Sequence, residues 1–266
     1  MFSGLRPYIA IVEAQIKIIL REIPELLSIV FMIYVFLGFL YLGGRVFGGD
    51  LSVFKEITGY NDPFRYQLIG VSIIAVSMVM LSSMSQYANT EMLSGRIEGI
   101  AMAPISIYIA MAFSSLPFLL SMVIIFGVSL APIIVSTLYS YGFIPIALSI
   151  FALIVSVIPM AMIGLLISFL VLIYKVPQIV NMVQALIFIL SGALYPIYIL
   201  PEILSLIASG LPITHAINIS RSLLLQGYID YGLNGFLVLI YISAVYFVVG
   251  YVFIRRLGSI FRSSGV

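Results

Sequence analysis

Between Gly99 and Tyr174 the sequence contains no Asp, Glu, Lys or Arg. At about 1.5 Å per helical residue, an uncharged run of that length crosses a hydrocarbon layer of about 30 Å at least twice. No soluble core accounts for it. Mean hydropathy is +1.25 and 63% of the residues are hydrophobic, so the whole chain, not one segment, belongs in lipid. The expected class is an all-α polytopic membrane protein.

The same composition removes several functions. A net charge of +2 without a basic cluster or RNA-binding motif excludes nucleic acid as a partner. The absence of cysteine excludes disulfides and thiolate metal sites, and one histidine excludes an all-histidine zinc site. A P-loop needs Gly before its Lys, whereas the three lysines follow Ile16, Phe54 and Tyr174. The chain therefore does not hydrolyse ATP by a P-loop.

Residues 1–25 read as an amphipathic helix lying in the membrane interface, and the first long apolar run begins only at Leu26. Ile9, Val12, Ile16, Ile19 and Ile23 keep helical spacing on one side, while Glu13, Lys17 and Arg21 recur every four residues on the other. Pro7 and Pro24 sit near its two boundaries.

Over 26–256 the apolar runs and their breakers predict six transmembrane helices, near 26–43, 67–86, 106–130, 143–173, 177–194 and 234–254. The turn Leu138–Gly142, LYSYG, divides the uncharged stretch into two crossings. With both termini cytoplasmic, Arg6, Lys17, Arg21, Arg96, Lys175, Arg255, Arg256 and Arg262 lie inside, and Arg45, Lys55, Arg65 and Arg221 lie outside. That asymmetry obeys the positive-inside rule, places the protein in the cell membrane and leaves 257–266 as a cytoplasmic tail.

The predicted spans hold no ionisable residue, which disfavours proton-coupled carriers and voltage sensors. They do hold hydroxyls and amides. Ser72 and Ser77, and Asn181 and Gln184, are candidates to line a path, or equally to bond neighbouring helices.

The segment 194–227 is too apolar for a solvated loop and too interrupted by Pro196, Pro201 and Pro212 for one crossing. Two short helices, from about 201 to 209 and 213 to 226, fit a re-entrant hairpin dipping into the outer leaflet. Backbone of that kind is tolerated at depth only under protein or beside water, which suits a lid over a path.

Two segments carry a resemblance. Ser191, Gly192, Tyr195, Pro196, Leu200, Pro201, Pro212, Thr214, Ala216, Arg221, Leu223 to Leu225 and Gly227 match the pattern S-G-x-x-Y-P-x-x-x-L-P, then P-I/L-T-x-A and R-x-L-L-L-x-G. Glu91, Gly95, Arg96, Ile97, Glu98, Ile100, Ala103, Pro104, Ile105 and Ser106 match E-x-x-x-G-T-L-E-x-L-x-x-T/A-P-V/I-S, with Arg96 in place of the usual Thr. Together they resemble the type 2 exporter permeases of the ATP-binding cassette (ABC) transporters.

The resemblance implies that two permease subunits pair with two cytoplasmic ATPase subunits that bind the ATP and Mg, so this chain binds no cofactor and is no enzyme by itself. It implies a coupling helix within 87–106, where Glu91, Gly95, Arg96, Ile97, Glu98, Ile100, Ala103 and Pro104 meet the ATPase. It also implies an extracellular gate involving Tyr195, Pro196, Pro201, Glu202, Pro212, Thr214, His215 and Arg221. Membrane lipids surround such a subunit. Uncharged spans and many tyrosines suit an amphipathic, lipid-like or drug-like substrate, with a lipid-linked saccharide as the alternative. Two other classes fit less well. An oligomeric channel lacks a visible filter or charged ring, and an intramembrane protease would rest on His215 with Ser209 or Ser220 alone.

Overall fold

A computed structural model describes residues 6–46, 51–93, 113–174, 176–228 and 232–263. Among them there is helix, turn and loop but no strand. The elements are α1 (Arg6–Arg21), α2 (Ile23–Val46), α3 (Leu51–Thr58), α4 (Pro63–Leu93), α5 (Phe118–Ser129), α6 (Ala131–Tyr141), α7 (Ile144–Tyr174), α8 (Ile179–Leu190), α9 (Glu202–Ser209), α10 (Pro212–Gln226) and α11 (Gly232–Ser263), with a 3-10 turn at Ile197–Ile199. Several of these helices are long and apolar, as expected of a polytopic membrane protein.

The sheath and the centre differ in how much they bury. The apolar stretch of α4 is 76% buried, against 22% for those of α2 and α11. The outward faces of α2 and α11 carry Phe31, Met32, Phe39, Tyr241, Val248 and Val252, an apolar surface with the composition of a lipid contact. α4 is the axis. It packs along α7 and also touches α2, α5, α8 and α10, while α11 lies on α7 and α10.

The α4–α7 seam is close because Gly164 has no side chain: a Cβ there would stand 2.5 Å from the Leu81 carbonyl oxygen. Ser85 and Ser168 complete the crossing, their hydroxyls 3.3 Å apart, with Ser168 Oγ also donating to the Gly164 carbonyl at 2.7 Å. Small residues that let two backbones approach are how helices associate where lipid and leucine are equally apolar.

Four sequence expectations meet the structure here. On α1, Val12, Ile16 and Ile19 face the protein and Glu13, Lys17 and Arg21 face outward, but Ile9 is exposed together with Ile18 and Leu20. The expected loop between residues 44 and 66 contains α3, which Gly59 ends with a left-handed φ of 76° and a bond from its N–H to the Lys55 carbonyl. α4 then starts on a cap in which Asp62 Oδ1 accepts the Arg65 N–H, with Pro63 following.

The third expected crossing continues past Leu130 into α6 through a 71° bend before the anticipated turn at Gly142. Pro132 in the first turn of α6 supplies no N–H to the helix before it, which accounts for the break. The fifth expected span is helical only over the twelve residues of α8, about 18 Å, because Gly192 takes a φ of 70° and unwinds the chain.

Gly164→Ala is expected to destabilise the protein by about 1–3 kcal/mol, since the added methyl has backbone and not a flexible side chain against it. Gly38→Ala in α2, where a Cβ meets nothing within 4 Å, is expected to be neutral or slightly stabilising. Thermal unfolding midpoints of the two variants in the same detergent check the contrast.

Candidate functional site

Of the residues expected to couple to an ATPase, Gly95, Arg96, Ile97, Glu98, Ile100, Ala103 and Pro104 lie outside the described residues. Glu91 sits in the last turn of α4, its side chain likewise outside the description. α4 leads from the hairpin region directly into this segment.

At the opposite end of α4, Arg221 is buried to 1% exposure, the largest fully buried side chain among the described residues. Its Nε donates to the Tyr66 carbonyl at 3.0 Å, Nη1 to the Gly192 carbonyl at 3.0 Å and Nη2 to the Ala193 carbonyl at 2.6 Å. The guanidinium also stacks on the Tyr66 ring, 3.5 Å from its centroid. Tyr66 is itself held edge-on by Phe54 of α3 and packed by Tyr60. No carboxylate pairs with Arg221 among the described residues; three carbonyl dipoles and the Tyr66 ring face stabilise this charge.

Each element of the cage has a local cause. The left-handed Gly192 turns two successive carbonyls toward the arginine, and a Cβ on it would run into Ile197. Gly70, one turn after Tyr66, leaves room: a Cβ there would collide with the Ala193 carbonyl oxygen and stand 2.5 Å from Arg221 Nη2. Gln67 adds a longer bond, Nε2 to the Leu194 carbonyl at 3.4 Å.

The rest of the expected gate divides in two. α10 is core: Pro212, Ile213, Thr214, Ala216, Ile217, Ile219, Ser220, Arg221, Ser222, Leu223 and Leu224 are all buried. Thr214 Oγ1 is buried without a hydrogen-bond partner, and Gly227 ends the helix in the left-handed region. α9, set at 83° to α10, is the exposed arm, with Ile203 and Leu206 each 75% exposed. Pro196 and Pro201 hold extended backbone on either side of the 3-10 turn, and Glu202 opens α9.

His215 Nε2 lies 2.7 Å from the Ser209 carbonyl oxygen, so its N–H caps the C-terminal end of α9. The Tyr195 hydroxyl donates to the Ile189 carbonyl at 2.5 Å. A shallow hollow of about 500 Å³ lies on the outer arm, between Tyr198, Leu200, Glu202, Ser205, Leu206 and Ser209.

The four path candidates are not brought together as a lining. Ser77 bonds back to the Ile73 carbonyl, Ser72 is fully buried, and Gln184 Nε2 donates to the Met78 carbonyl at 3.0 Å, joining α8 to α4. Asn181 alone is exposed, beside Met182 and Leu186. Sequence reasoning missed Tyr66 and Gly70 as site residues; a glycine one turn after a tyrosine inside an otherwise apolar helix was the available signal.

Comparison with models of known protein families and with characterised sequences finds no match.

Because the protein has no cysteine, single replacements report on access directly. Asn61→Cys, exposed in the loop before α4, is expected to react with a water-soluble maleimide at least about tenfold faster than Gln184→Cys, whose position is half-buried against α4. Equal rates in reconstituted vesicles would contradict this placement.

Proposed function

We propose that this chain is the membrane-spanning permease subunit of an ABC exporter. Two copies, or this chain and a homologous one, form a path for an amphipathic, lipid-like or drug-like substrate, driven by separate ATPase subunits. The observation that carries the reading is the layout of α4. One buried helix connects the segment bearing the expected coupling motif, residues 91–106, to the proline-broken segment bearing the expected gate motif. A chain with no P-loop needs such a mechanical connection to a motor elsewhere.

In this reading α2, α4, α5, α7, α8 and α11 are the six crossings, and α1 lies in the cytoplasmic interface with its charged side toward water. α9 and α10 form the outer re-entrant hairpin, completing the positive-inside layout with both termini cytoplasmic. The burial of α10 narrows the gate: the moving part is α9 with the 3-10 turn, and α10 is its seat.

Arg96→Ala with Glu98→Ala is expected to leave membrane insertion intact and to lower substrate-stimulated ATP hydrolysis at least about tenfold, the loss of roughly 1.4 kcal/mol of contact. The measurement is made on the permease co-purified with the ABC ATPase encoded in its own genome. Normal assembly and normal stimulation in the double variant would end the coupling assignment. A cross-link fixing α9 to α10 is expected to stop transport while basal hydrolysis continues; transport at the parent's rate would remove the gate from α9.

A further inference from the structure

Arg221 does more than fill space. An apolar side chain would pin α10 to α4 at lower cost, because burying an unpaired charge is unfavourable and apolar replacements of buried charges are commonly neutral or stabilising. What a guanidinium adds is direction. Its planar fork fixes three N–H vectors at once, and a hydrogen bond weakens steeply when its geometry is lost.

Here the three acceptors lie on two different elements, the first turn of α4 and the turn after α8, while the donor belongs to a third, α10. The Tyr66 ring covers one face of the guanidinium. A sliding apolar contact would let α4 shift or tilt and leave the 192–193 turn behind. This cage does not: a displacement of about 1 Å takes the bonds out of range, so the turn moves with α4 or the arginine is stranded without a counter-charge.

We infer that Arg221 is the joint that makes the 192–193 turn and the hairpin root follow α4, a positioning residue for opening the outer arm. That this motion serves export rests on the permease reading; the joint itself does not. The turn joined in this way continues through Pro196 and the 3-10 turn into α9, so α9 inherits any displacement of α4's first turn.

The joint is tested on the cysteine-free chain alone, in nanodiscs, with spin labels at Asn61→Cys beside the start of α4 and Ile203→Cys on α9, both exposed positions. The parent is expected to give one narrow distance distribution. Arg221→Gly and Arg221→Lys are both expected to broaden it or split it into two, since a lysine ammonium cannot serve the three carbonyls in plane.

Guanidinium at about 20 mM, far below the molar range in which it denatures, is expected to renarrow the distribution of Arg221→Gly. Ammonium at the same ionic strength is expected not to. Gly70→Ala supplies an independent variant, because it keeps the arginine and displaces the Ala193 carbonyl; it should broaden the distribution in the same way. A narrow distribution in Arg221→Lys or Gly70→Ala, or equal effects of guanidinium and ammonium on Arg221→Gly, overturns the joint. Because no ATPase is present, that outcome leaves the permease reading standing. Conversely, a failure of the chain to pair with an ATPase leaves the joint intact.

Discussion

A backbone carbonyl that leaves a helix in apolar surroundings has no water to turn to, and four breaks in this bundle are built around that fact. At the α5–α6 bend the Tyr34 hydroxyl donates to the Ser129 carbonyl. At the turn after α8, Arg221 serves two carbonyls and Gln67 reaches a third. At the α9–α10 corner His215 serves Ser209, and at the end of α10 Thr137 serves Leu224. Apart from His215, six residues from Ser209, the donors come from distant parts of the chain, so these irregular pieces of backbone also tie two elements together. The irregularities are therefore part of the scaffold.

This explains why polar side chains were the hardest part of the sequence to read. Gln184 looks like a path residue because it recurs with Asn181 along a helix face, yet its amide is spent on the Met78 carbonyl. His215 and Arg221 are expected in an outer gate by resemblance; one caps α9 and the other is wholly buried. A one-dimensional pattern shows that a donor exists. It does not show which carbonyl, made free by a break many residues away, will claim it.

What was legible followed from long-range composition and from local stops. The apolar runs gave the cores of α2, α4, α7 and α11, the LYSYG turn ended α6 at Gly142, and the hairpin split at Gly210–Leu211–Pro212. Besides α3 and the Tyr66–Gly70 pair, two ends of apolar runs escaped: the continuation of the third run into α6 and the early end of α8. Each has a local breaker, Pro132 or Gly192, but the carbonyls it frees are claimed by tertiary partners. The 71° bend leaves the Ser129 carbonyl to Tyr34, and Gly192 unwinds α8 into a turn whose carbonyls Arg221 collects. Apolar residues run on past both points, so hydropathy alone does not place the breaks.

The shortness of α8 gives the protein an uneven outline. Its twelve residues rise about 18 Å, while lipid hydrocarbon is about 30 Å thick, and its outward side presents Met182, Leu186 and Ile189. In the six-crossing reading the bilayer meets a wall of matching height around α2 and α11, whereas beside α8 it would have to thin or yield its place to another protein surface. Hydrophobic mismatch is thus concentrated on one flank, the flank that leads into the Arg221 cage. A change in bilayer thickness would press there first, making lipid composition a force on the root of the hairpin.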